Sequence, residues 1–251
     1  MNLAAFGRLA ASLSLIASLA GAADLPSGED LLAIFLERSG GAEAYARAKT
    51  VEMTGTVEIA GRNIGGKVSM IEQGKKSWTS MDLPGIGPIE IGYNGDTAWE
   101  NSTLQGPRII EGQEKSAMER SSSFVVATEW RDQYKSVKTT GEDTVDGKPA
   151  WKVEMTPKDG NPETFYFDKD SGLLLRIATV MSSPLGEIAT DMTLSDYRLV
   201  DGIRTPFTMT QNAMGQNIVM KFDKVIYNGP LAPGRFDPPE AVKALLAKQA
   251  K

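Results

Sequence analysis

From Val51 onward the chain alternates. Val51, Met53, Val57 and Ile59 are apolar, while Glu52, Thr54, Thr56 and Glu58 between them are polar. This is the period of two of a strand with one buried and one wet face. Val68 and Met70, then Trp78 and its neighbours, then Ile89, Ile91 and Tyr93 predict three more strands, separated by Gly74-Lys75 and by Leu83 to Pro88. Asn94-Gly95 predicts a two-residue hairpin turn before Trp99. Trp151, Val153 and Met155 restart the alternation against Lys152 and Glu154. Glu163 to Pro206 then reads as consecutive antiparallel strands. Phe165 and Phe167 flank Tyr166, Asp168 to Gly172 supplies a turn, and Ile188, Met192 and Leu194 oppose the parity of Glu187, Asp191, Thr193 and Ser195. Asp201-Gly202 closes the next turn. A last hairpin joins the parity of Phe207 and Met209 to that of Ile218, Met220 and Phe222.

Three stretches follow a helical period instead. Ser27, a good cap, precedes Leu31, Leu32, Ile34, Phe35 and Leu36, and Ser39-Gly40-Gly41 separates this helix from a shorter one over Ala42 to Ala48. Between Glu111 and Lys138, Ala117, Met118, Phe124, Val125, Val126 and Trp130 recur at helical spacing around a break at Ser121-Ser122-Ser123. A Pro/Gly-rich exit, Asn228 to Pro239, leads into a short carboxy-terminal helix. The expected layout is helices over residues 28–48, strands over 51–100, a helical lid over 111–136, strands over 144–227 and a helix over 239–249. That gives about ten or eleven strands with no βαβ unit, hence a mainly β protein built on one antiparallel sheet. The lid must bury its apolar side, and the concave face of a curved sheet is the simplest place for it.

Composition narrows the class. With 251 residues and 41% hydrophobic content the chain can bury one sizeable core, so residues 23–251 are expected to form a single domain. Met1 to Ala22 reads as a secretory signal peptide, with Arg8, an apolar run from Leu9 to Leu19, and Ala20-Gly21-Ala22 as the cleavage site. No later segment is long and apolar enough to span a bilayer. A net charge of −5 without a Lys/Arg block argues against nucleic acid as a partner.

The chain has no cysteine and no histidine, which removes disulfides, serine and cysteine triads, imidazole bases and the common zinc sites. The remaining acidic groupings, Glu142-Asp143 with Asp146 and Asp168 with Asp170, read as turn residues. Asp168 to Gly172 lacks the glutamate that a calcium loop needs near Ala178. Pro88 spoils Gly85 to Gly92 as a nucleotide loop. No enzyme activity, metal or cofactor is expected.

The positive signal lies in the methionines. Met53, Met70, Met155, Met192, Met209 and Met220 fall mostly on the apolar parity, where flexible thioethers adapt to irregular shapes. The candidate lining of an apolar cavity is Met53, Val57, Met70, Ile89 and Ile91 in the first strands, with Met118, Phe124 and Trp130 in the lid. Trp151, Val153, Phe165, Phe167, Met192 and Leu194 continue it, and Phe207, Met209, Met220 and Phe222 complete it.

The middle of the chain resembles the periplasmic outer-membrane lipoprotein-sorting carriers. The matching residues are Phe167-Asp168, Ser171-Gly172-Leu173-Leu174 with Arg176, Asp196-Tyr197-Arg198, and Asp201-Gly202-Ile203 with Pro206. Gly40-Gly41 with Glu43, ahead of the first strand, is a second point of likeness. The resemblance implies an incompletely closed β-barrel whose hydrophobic pocket carries acyl chains. It also implies a ligand-release arginine, for which Arg62 and Arg108 fall in suitable regions. The expected function is a monomeric periplasmic carrier that shields the acyl chains of a lipoprotein or lipid between membrane-bound donor and acceptor proteins. At about 0.8 kcal/mol per CH₂, a sixteen-carbon chain represents roughly 12 kcal/mol of gross transfer free energy. The alternative is a non-enzymatic periplasmic regulator whose concave face is filled by its own side chains.

Overall fold

The computed structural model describes residues 25–122, 124–183 and 186–249. The expected signal peptide lies outside them. A first meander comprises β1 (Val51–Ile59), β2 (Ile64–Gln73), β3 (Lys76–Leu83), β4 (Gly87–Tyr93), β5 (Ala98–Ser102) and β6 (Gly106–Ile110). A second comprises β7 (Tyr134–Val145), β8 (Lys148–Pro157), β9 (Glu163–Asp168), β10 (Leu174–Ser183), β11 (Gly186–Val200), β12 (Ile203–Ala213) and β13 (Gln216–Tyr227). The two meanders join where β1 pairs antiparallel with β13, giving one sheet of thirteen strands with β6 and β7 at its edges. No pairing closes β6 onto β7. The fold is an open, strongly coiled antiparallel sheet.

The turns follow their residues. Asp146-Gly147 and Asp201-Gly202 form two-residue hairpins between Val145 and Lys148 and between Val200 and Ile203. In both, each central residue has positive φ, the type I′ geometry that matches strand twist. Asn94-Gly95 belongs instead to a four-residue loop between Tyr93 and Ala98, in which the Asn94 side chain accepts from the Asp96 and Thr97 amides at 3.0 and 2.8 Å. Curvature depends on close approach of backbones. A Cβ on Gly66 would lie 1.8 Å from the Asp82 carbonyl oxygen, and one on Gly55, at the β1–β13 bulge, 2.0 Å from that of Lys221.

Thirteen strands exceed the expected ten or eleven because β6 and β7 escaped the alternation reading. β6 is five residues long and contains Pro107. β7 occupies part of the segment assigned to the lid, and two bulges, between Tyr134 and Ser136 and between Thr139 and Gly141, break its period. It is also an edge strand, with Lys135, Ser136 and Lys138 exposed, a composition that protects an edge from pairing.

Helices α1 (Gly28–Ser39) and α2 (Gly41–Arg47) precede β1, and the Ser27 hydroxyl caps α1 by accepting from the Asp30 amide at 3.1 Å. The chain passes from the first meander to the second across the concave side as α3 (Gly112–Ser121), a π-helical turn (Val125–Glu129) and α4 (Trp130–Gln133). The lid therefore ends at Gln133, and α3 stops at Ser121 with Ser122 as its C-cap, at the start of the expected serine break. The main core lies between these helices and the sheet, with Leu32, Phe35, Val57, Phe124, Val153, Phe165 and Phe167 at its centre. Helix α5 (Glu240–Gln249) packs on the opposite face, where Val242 and Phe236 meet Ile71, Trp78 and Trp99.

Candidate functional site: a covered concave face

Because β1 to β4 and β9 to β13 curl around one side, their inward residues surround a space of about 440 Å³. The sequence-predicted residues Met53, Met70, Ile91, Met118 and Phe124 line it, and so do Phe165, Met192, Leu194, Met209 and Met220. Met81, Leu174 and Ile177 add to its walls, with Phe35 of α1 and Val126 of the lid above.

The other predicted residues stay in the surrounding apolar core. Val57, Val153, Phe167 and Phe222 are buried there without reaching the space, as are Trp130 and Phe207. Ile89 and Trp151 are partly buried against that core, and Trp151 carries the Lys169 ammonium 3.9 Å above its ring. For Phe167 and Val153 the reason is the cover supplied by α1. Its Phe35 ring packs 5.8 Å from that of Phe167, and its first residue, Gly28, abuts Val153.

Sequence reading missed the polar members of the wall. Arg120, 5% exposed on α3, donates through Nε and Nη2 to Glu163 Oε1 at 3.1 and 2.9 Å and through Nη1 to the Asp159 carbonyl at 2.9 Å. The Tyr134 hydroxyl donates to the other oxygen of Glu163. A buried ion pair thus joins the lid to β9. The signal was present: Glu163 shares the parity of Phe165 and Phe167, where an acid is out of place unless partnered. Lys75 with Glu119 at 2.8 Å and the Ser122 hydroxyl on the Gly74 carbonyl at 2.6 Å fasten the lid to the β2–β3 turn. Arg108 of β6 is held by Glu100 of β5 at 2.7 Å and by Glu114 of α3 at 2.6 Å, a second ion pair between sheet and lid, whereas Arg62 is exposed in a turn.

Four tyrosines also face this region, Tyr45 and Tyr134 buried and Tyr197 and Tyr227 partly buried. Burial raises the Tyr134 hydroxyl far above the usual phenol value, with the Glu163 charge adding to it. Burial likewise raises Tyr197, Tyr227 and Tyr45. A phenol with a raised folded-state pKa contributes stability that is complete below the unfolded value of 10.0 and is lost as pH rises toward the folded one. Unfolding free energy is therefore expected to fall from about pH 10 upward, each phenol adding up to about 1.4 kcal/mol per pH unit. Urea titrations between neutral pH and pH 11 check this, and Tyr197→Phe should flatten the slope.

Among the described residues no group of three or more acidic side chains is placed to hold a metal ion. What the concavity offers is shape and a largely apolar surface with polar residues set into it.

This fold is that of the outer-membrane lipoprotein-sorting proteins. A domain assigned as an outer membrane lipoprotein-sorting protein from Vibrio parahaemolyticus has a TM-score of 0.55 at 17% identity, over 87% of this chain and 99% of that one. A LolA superfamily protein from Nitrosomonas europaea gives 0.56 at 11% identity, over 85% of this chain and 99% of that one. A DUF1329 family protein from Desulfovibrio piger gives 0.55 at 18% identity, over 83% and 96%. No protein-family model and no curated protein matches the sequence.

Proposed function

We propose that this protein is an exported periplasmic carrier that shelters acyl chains of a lipoprotein or lipid on the way to the outer membrane. The observation that carries this reading is the covered, methionine-rich space of about 440 Å³ on the concave face. Its volume falls within the range of small-ligand pockets. It has room for about one chain, so a cargo with several chains needs the lid displaced or some chains left outside. The fold shared with lipoprotein-sorting proteins supports the same reading. A filled interior would suit a pure regulator; the open space speaks against it.

Burying one long chain is favourable enough that release needs a moving part. The lid, a two-helix crossing with a break and a π-helical turn, is the part suited to that role. Donor and acceptor proteins at the two membranes would act on it, and the working unit in this scheme is the monomer.

Native mass spectrometry of the mature protein, purified without detergent and followed by lipid identification, tests the reading. The expected result is a stoichiometric lipid or acylated peptide. A clean apo mass, with no uptake of a fluorescent fatty acid afterwards, would overturn it.

A further inference from the structure

A second cleft lies on the convex face, behind the cavity wall. Glu72 of β2 and Ser77 of β3 face the cavity, so their chain neighbours Gln73 and Lys76, opposed to each other across the two strands, face outward. The exit segment that follows β13 passes over them. Between it and the sheet is a space of about 520 Å³, lined by Gln73, Lys76, Asn94 of the β4–β5 loop and Arg235 of the exit segment, with Leu231 and Phe236 as its apolar part.

The donors of this cleft are held in place and left unspent. The Arg235 guanidinium lies 3.5 Å from the centroid of the Trp78 ring. Trp78 is itself 8% exposed, packed in the convex cluster with Ile71, Trp99, Phe236 and Val242. Stacking fixes the plane of a guanidinium while its N–H edges stay available. The exposed Lys76 runs its stem past Gly95, at which a Cβ would lie 3.6 Å from the lysine Cε. Among the described residues neither cation has an ion-pair partner. Asn94 Oδ1 is taken by the Asp96 and Thr97 amides, so Nδ2 is the end it offers to a ligand. The lining has one acid, Asp237. Its carboxylate turns back beside Gly234, where a Cβ would lie 2.8 Å from Oδ2, and its charge acts on Lys243 of α5. Two cations thus face one carboxylate, in a chain whose net charge is −5.

A planar carboxylate is satisfied by a single guanidinium fork. Here the donors come from three elements, β3, the β4–β5 loop and the exit segment, which suits an anion with oxygens pointing several ways. The space also exceeds a bare oxyanion. We propose that this cleft binds a phosphate ester, its phosphoryl oxygens held by Arg235 and Lys76 and its organic part lying against Leu231 and Phe236. The same group occurs on small solutes and on phospholipid headgroups. The site is separate from the acyl cavity, which lies on the other face of the sheet.

Isothermal titration calorimetry of the mature chain with glycerol 3-phosphate, at about 50 mM salt to limit screening, tests the site. Saturable binding with a dissociation constant of about 1 mM or lower is expected, with acetate about tenfold weaker. Arg235→Gln and Lys76→Gln should each weaken it about three- to tenfold. Lys76 is exposed, so its substitution leaves the fold intact. Arg62→Gln, at an exposed turn position, makes the same charge change and should have no effect. Sedimentation with phosphatidylglycerol vesicles then separates the sources. Vesicle binding lost in both cleft variants assigns a headgroup, and binding of the solute alone assigns a soluble ester. No saturable binding up to about 10 mM, equal binding of acetate, or affinity that survives both substitutions overturns the assignment. Uptake of a fluorescent fatty acid by the same variants should be unchanged, so the carrier reading stands or falls separately.

Discussion

Arg120→Ala is expected to lower the unfolding free energy by about 3–5 kcal/mol, because it leaves the Glu163 carboxylate buried with Tyr134 as its remaining side-chain partner. Glu163 is 8% exposed, so the carboxylate left behind would be poorly solvated. The loss should appear in urea unfolding as a lower midpoint, and in hydrogen exchange as faster opening of residues 112–133 than of the central strands. A second variant separates the charge from the shape. Arg120→Met combined with Glu163→Gln removes both ionised groups and should recover much of the loss, since a buried pair taken away together costs far less than either partner alone. A single-variant loss under about 1 kcal/mol would mean that the pair behaves as a surface contact. The lid would then depend on Phe124 and Val126, with Lys75–Glu119 and Arg108–Glu114 as its polar anchors.

Phe167→Ala is expected to cost about 3–5 kcal/mol, the range for truncating a fully buried aromatic side chain. Phe167 has no exposed surface and packs between Phe35 of α1 and Phe165, with ring centroids 5.8 and 6.3 Å away. The void would lie under α1, behind the cavity-lining rings of Phe35 and Phe165, so amphiphile binding by the surviving folded protein should change little. Thermal and urea unfolding measure the first effect, uptake of a fluorescent fatty acid the second. A variant that keeps its stability but loses binding would move Phe167 into the site. Against a total stability of about 5–15 kcal/mol, either substitution alone is a large fraction.

The two cases show how far pattern reading reached into the site. The inward parity of β1, β2, β11 and β12 was legible because the opposite parity is polar: Met53, Met70, Met192, Leu194 and Met209 were identified from alternation and do line the space. The aromatic run Phe165-Tyr166-Phe167 was not resolvable in that way, since both parities are buried. Tyr166 points to the other face, into a cluster with Val145, Ala150 and Leu175, under the Arg176 guanidinium 3.9 Å from its ring. Along the inward parity itself, periodicity cannot separate cavity from core. Whether a wall residue meets empty space or a helix depends on where α1 lies.

The sequence by itself determined the strand periods, the Asp-Gly turns, the Ser27 cap, the serine break in the lid and, through the absence of histidine and cysteine, the chemistry the site lacks. Each of these rests on one residue and its near neighbours in the chain, so it is written locally. The tertiary structure alone decided that β1 lies beside β13, that β6 and β7 form the open edges, and that Arg120 of the lid meets Glu163 of β9. Those pairings link residues far apart in sequence, and they arise only when a coiled sheet brings the ends of its two meanders together around one concave face.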